Sequence, residues 1–117
     1  MDKKKYDLED RTYRFAKNVA LFCKKLPGNL LNTKYIGQVI RSSGSVGANY
    51  IEANESLSKK DFVMRIKICR KEAKESAYWL RLIVDTNSEE FKNEGLLLQK
   101  EAEELKKIFS SIIEKSR

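Results

Sequence analysis

Four cations at a fixed interval, Lys60, Lys67, Lys74 and Arg81, are the side chains of this sequence most clearly spaced for a chemical task. Seven residues are close to two turns of an α-helix, so the four fall in one outward row, with Lys71 on the row beside it. Such a row can follow a phosphate backbone, each contact adding about one unit to the salt dependence of binding. The alternative is a solvated helix face, although exposed helices more often alternate Glu with Lys. No Trp or Tyr stands out beside the row as a platform for base stacking. A second set of charges, Glu52, Glu55, Glu72 and Glu75, could gather into a carboxylate cluster that holds a metal or forms an acid/base pair. Arg41, Arg65, Arg70 and Lys71 supply counter-ions in the same segments, which favours a polar seam between two helices over a metal site. The expected seam contains Arg41, Asn49, Glu52, Asn54, Arg70 and Glu72.

Other chemistries are short of parts. The chain has no histidine, which removes the commonest general base and the usual metal-binding imidazole. Cys23 and Cys69 stand among apolar residues with no CxxC spacing and read as buried reduced thiols, which fits a cytoplasmic protein. Gly44-Ser45-Val46-Gly47 is followed by no Lys-Ser/Thr pair at phosphate-loop spacing and preceded by no strand. Its small residues are better suited to close helix contact. No enzyme activity, metal or cofactor is expected.

The elements that must position these residues are helical throughout. The 117 residues form one expected domain, with 24 Lys and Arg against 17 Asp and Glu, a net charge of +7 and a pI near 9.4. Apolar residues at alternating spacings of three and four predict helices over about 8–26, 33–56, 59–86 and 89–115. The first stripe is Leu8, Thr12, Phe15, Val19, Phe22 and Leu26, with Asp7 as cap. The third is Phe62, Ile66, Cys69, Ala73, Ser76, Leu80 and Ile83 behind a Ser58 cap, and the fourth is Leu98, Ala102, Leu105, Phe109 and Ile112 behind a Ser88 cap. The second runs Ile36, Ile40, Ser43, Gly47, Tyr50, Asn54, unusually small and polar for a core, and a break near Gly44 is one outcome its glycines allow. Short connections make an antiparallel up-down-up-down four-helix bundle the economical all-α topology.

The positive excess lies outside the last helix: residues 58–86 carry eight cations against four acids, and residues 87–117 six against seven. Helix 3 also carries a second apolar row, Met64, Ile68 and Leu82 with Tyr78, and helix 2 echoes it with Val39, Val46 and Ala53. These seven residues are the expected oligomer interface. No apolar run reaches the length of a membrane span, and no export signal opens the chain.

The opening YDLEDRTYRFAKNV from Tyr6 and the central IRSSGSVGANYIEANESLSKKDFVMRIKICRKEAKESAYWLRL from Ile40 to Leu82 resemble the bacterial 23S rRNA intervening-sequence proteins. The resemblance covers nearly the whole chain and implies a four-helix bundle assembled as a ring, commonly a homopentamer. The similar accessory variability protein of diversity-generating retroelements is a basic pentameric bundle that engages nucleic acid and a reverse transcriptase. No catalytic residue is implied. The expected function is therefore that of a non-enzymatic oligomeric module. Its basic surface, with Lys60, Lys67, Lys71, Lys74 and Arg81, would contact RNA or DNA, RNA favoured, with possible ribosomal association. The rival is a structural adaptor whose oligomer binds another protein.

Overall fold

The structure, a computed structural model, describes residues 3–117, with side chains from Leu8 onward. Four long helices follow in order: α1 (Lys3–Lys25), α2 (Leu30–Asn54), α3 (Lys59–Thr86) and, after a short 3-10 turn at Glu89–Phe91, α4 (Lys92–Lys115). The described residues contain no strand.

Local chemistry sets the breaks. Pro27 has no N–H to continue α1. Asn29 then caps α2, its side-chain oxygen accepting the Asn32 N–H at 2.9 Å, so α2 begins at Leu30 and not Thr33. Ser58 caps α3 as expected, accepting the Asp61 N–H at 3.0 Å. Two expected caps differ. The backbone of α1 is already helical at Lys3, which puts Asp7 inside the helix; its side chain lies outside the described residues. Ser88 precedes the 3-10 turn and makes no side-chain cap bond, so α4 starts three residues late. α2 passes through Gly44 without a break.

The stripes of α1 and α3 are buried as the spacing predicts, apart from a half-buried Phe62, and α4 completes its stripe with Ile113 in place of Ile112, which is half-buried. On α2 the buried residues are Asn32, Val39, Ser42, Ser43, Val46, Tyr50 and Ala53, while Ile40 is exposed. Val39, Val46 and Ala53 thus belong to the chain's own core and are closed to any partner. A seven-residue spacing puts three residues on one face but does not say which face points inward. Each of the fully buried large side chains, such as Phe22, Leu105 and Phe109, contributes about 1.5–3 kcal/mol.

α3 packs against both α2 and α4, and α1 closes the remaining side. Numbers fall along α2 as they rise along α3: Asn49 meets Arg65, Ser42 accepts from Ser76 at 2.9 Å, and Asn32 meets Asn87. The last pair is reciprocal. Asn32 Nδ2 donates to Asn87 Oδ1 at 3.0 Å and Asn87 Nδ2 returns a bond to Asn32 Oδ1 at 2.8 Å. Asn32 Nδ2 also reaches the Pro27 carbonyl at 2.8 Å, so one buried amide ties the α1–α2 turn to the end of α3.

At Gly95, α4 lies close against α3 and α1. A Cβ there would collide with Val84 Cγ2 of α3 and stand 3.2 Å from the Phe22 ring of α1. Gly95→Ala should therefore destabilise the fold by about 1–3 kcal/mol, read from the urea midpoint. Combined with Val84→Ala, which makes room, the loss should be smaller than the sum of the two single losses; strict additivity would show that the crowding is not at Val84.

Candidate functional site

The polar seam between α2 and α3 centres on Arg41. Its Nη1 donates to Glu72 Oε2 at 3.0 Å, its Nη2 pairs with Glu75, and the Trp79 indole N–H donates to Glu75 Oε2 at 3.0 Å. The Trp79 ring packs in turn on Tyr35, centroids 6.0 Å apart. The indole N–H, then the guanidinium, hold the Glu75 carboxyl below its ordinary range, and the bonds to Glu72 and Glu75 raise the Arg41 value. Glu72 is buried, with Oε1 lacking a hydrogen-bond partner, so its charge relies on Arg41.

The expected seam divides. Arg41 and Asn49 of α2 do face α3, Arg41 meeting Glu72 and Asn49 accepting from Arg65 at 3.3 Å. Asn54 faces α1, donating to Glu9 Oε1 at 2.9 Å, and Gly47 likewise lies against Thr12. At about 100° per residue, residues 47 and 54 fall on the opposite flank of the core stripe from 42 and 49. Glu52 is exposed and makes no side-chain bond, and Arg70 lines the other side of α3. Glu52 and Glu55 thus stay in solvent while Glu72 and Glu75 share one arginine. Among the described residues, no three His, Cys, Asp or Glu side chains gather as a metal site would need.

The basic row is exposed along its whole length: Lys60, Lys67, Lys71, Lys74 and Arg81. Lys67, Arg70, Lys71 and Lys74 line one open concavity with Lys106 and Ser110 of α4. A second concavity at the start of α3 joins Lys59, Lys60 and Lys67 to Val63 and Met64. Among the described residues none of Lys60, Lys67, Arg70, Lys71, Lys74 or Arg81 forms an ion pair. The acids are engaged elsewhere: Glu101 takes Arg11 in a two-point bond at 2.7 and 2.8 Å, and Glu94 takes Lys25 at 3.0 Å. Lys106 alone of this cluster has an acid, Glu103 at 3.4 Å. Tyr78, expected at a subunit contact, lies on this same outer face and is 57% exposed. Met64 is exposed, and Ile68 and Leu82 are half-buried.

Sequence spacing therefore missed Arg70, Lys106 and Ser110 as members of the basic surface. The repeat on α3 is visible within one helix, whereas Lys106 and Ser110, one turn apart on α4, join it only through packing. The thiols are inert by burial, which pushes Cys23 up to about 11 and Cys69 up to about 12. No helix of the described residues is long and apolar enough to cross a membrane.

The described residues thus form four helices that gather a cationic surface on α3 and α4. Residues 4–111 match the family described as 23S rRNA-intervening sequence protein, and the chain belongs to that family. It is also similar to a crystal structure from Bacteroides thetaiotaomicron, described as a protein of unknown function from the S23 ribosomal protein family. The two share 29% identity over 90% of this chain and 96% of the other, with a TM-score of 0.75. No curated protein matches the sequence.

Removing the guanidinium takes from the buried Glu72 carboxyl its hydrogen-bonding partner. Arg41→Ala should cost about 2 kcal/mol in chemical denaturation. Glu75, with its value lowered by folding, adds stability above the ordinary carboxylate range that disappears as the pH falls through the lowered value. The gap between wild type and Arg41→Ala should accordingly narrow on acidification below about pH 4; a constant gap would sink this account.

Proposed function

We infer that this chain is a non-enzymatic binding module that contacts nucleic acid, RNA favoured, through the cationic surface of α3 and α4. The observation that carries this reading is the set Lys67, Arg70, Lys71, Lys74 and Lys106 around one concavity, the first four forming no ion pair among the described residues. Collecting like charges without neutralising them is unfavourable for a fold, and a polyanion compensates it by releasing its counterions. Lys60 and Arg81 extend the row to about 32 Å along the helix axis. The names carried by the family and by its Bacteroides relative, rRNA and ribosomal, point to RNA over DNA and to ribosomal association. Two buried, unpaired thiols fit the reducing cytoplasm.

The opposed numbering of the contacts between α2 and α3, and of Arg11 with Glu101 and Lys25 with Glu94 between α1 and α4, supports an antiparallel up-down-up-down bundle. A ring of identical subunits, five as the family resemblance implies, would multiply weak contacts along a long polyanion. With Val39, Val46 and Ala53 internal, the surface suited to subunit contact is the outer face of α2, where Ile40 and Ile51 are exposed beside Gly37, Gly44 and Ala48. Met64, Ile68 and Leu82 of α3 lie at its border. The same face is the ground for a second reading, a structural adaptor whose oligomer binds another protein.

Binding of a structured RNA measured across a salt series should give a steep negative slope, and Lys67→Glu with Lys74→Glu should reduce that slope by about two units. Salt-independent binding, or none, would leave the adaptor reading in its place. Ile51→Glu should lower the native mass in sedimentation while the helical circular dichroism stays unchanged. A wild-type monomer at micromolar concentration would rule out the ring.

A further inference from the structure

One feature of the cationic face is not explained by charge: an aromatic ring left in solvent among lysines. Tyr78 lies four residues after Lys74, seven after Lys71 and three before Arg81, so all four project from the same outer side of α3. Its ring is 57% exposed and its hydroxyl makes no hydrogen bond among the described residues, so neither burial nor a polar contact accounts for it. The ring is braced nonetheless. Trp79 meets it edge-to-face with centroids 5.1 Å apart at 74°, and Trp79 is itself fixed by the bond to Glu75 and the contact with Tyr35. Arg41 holds Glu75 from α2. A chain of contacts from the neighbouring helix thus steadies an exposed aromatic surface between cations.

We propose that Tyr78 is a stacking platform for an unpaired base, and that the cationic face of α3 takes single-stranded nucleic acid in preference to duplex. This deepens the reading of the surface as a nucleic-acid contact and rests on it. A duplex keeps its bases stacked on one another and can offer this face only phosphates, which Lys67, Lys71 and Lys74 can contact in either form. A single strand can turn a base onto the ring while its phosphates run along the lysines, the combination by which sequence-tolerant single-strand binders work. A ring already braced loses little freedom when a base lands on it, so most of the stacking energy is retained. Stacking on the ring carries no base identity of its own, because every base has a face to stack.

The test uses the intact chain, an unstructured RNA of about twelve nucleotides, a duplex of the same length, and heparin as a polyanion without bases. Tyr78→Ala should weaken the single strand about five-fold or more and leave duplex and heparin affinities within two-fold, while Tyr78→Phe should retain wild-type binding. Trp79 is the chain's only tryptophan and touches Tyr78, so its emission should change on adding the single strand. It should change little with heparin. Equal affinity for single strand and duplex, with no effect of Tyr78→Ala, would overturn the stacking proposal while leaving the cationic surface as the binding site. Failure to bind RNA or heparin at all, or binding indifferent to Lys67→Glu with Lys74→Glu, would instead remove the reading beneath it.

Discussion

The double packing of α3 governs the rest of this molecule. A helix pressed by α2 on one flank and α4 on the other has only a narrow outer strip left for solvent, and every charge it carries must be placed on that strip or matched within a seam. α3 meets the demand with small residues where its neighbours come near, Ala73, Ser76 and Ala77, and with one matched seam around Glu72. Its remaining cations go to the strip. Of its four acids, Glu72 and Glu75 are engaged by Arg41 and Asp61 sits in the first turn of the helix, where it complements the dipole, which leaves Asp85 near the far end. The unpaired cationic face follows from that allocation.

The Arg41 network links the two halves of this arrangement. A buried carboxylate is a costly thing to keep, and replacing an ion pair of this kind by apolar residues is often neutral or stabilising. Its retention here has a geometric return. The same guanidinium that offsets Glu72 positions Glu75, Glu75 receives the Trp79 indole, and Trp79 supports Tyr78 at the surface. A seam between two helices therefore reaches, through four side chains, the middle of the cationic face. The amide pair of Asn32 and Asn87 does comparable work at the far end, fixing how the α1–α2 turn sits against the end of α3.

Much of the helical content was legible because it rests on local rules. The spacing of Leu8 through Leu26 and of Ile66 through Ile83 needs only the period of a helix, and Ser58 announces the start of α3 by a bond closed within three residues. The errors fell where two helices must be known at once. Asn49 and Asn54 were expected in one seam, yet Asn54 faces α1, as Gly47 does, while Asn49 and Ser42 face α3. Val39, Val46 and Ala53 share a spacing with the surface rows of α3 but lie in the core.

By itself, the amino-acid order determined the helices, the cap at Ser58, the cationic repeat from Lys60 to Arg81, and the absence of any imidazole. Those properties depend on residue type and on separations of a few positions, which the backbone geometry converts directly into a face. Only the tertiary structure decided that Lys106 and Ser110 join the repeat, that Arg70 leaves the seam for the groove, and that Tyr78 stands braced and exposed among lysines. Each of these requires the rotation of one helix about its axis relative to another. That rotation is set by the packing of all four helices together, through contacts between residues as far apart as Asn32 and Asn87, and no window of sequence contains it.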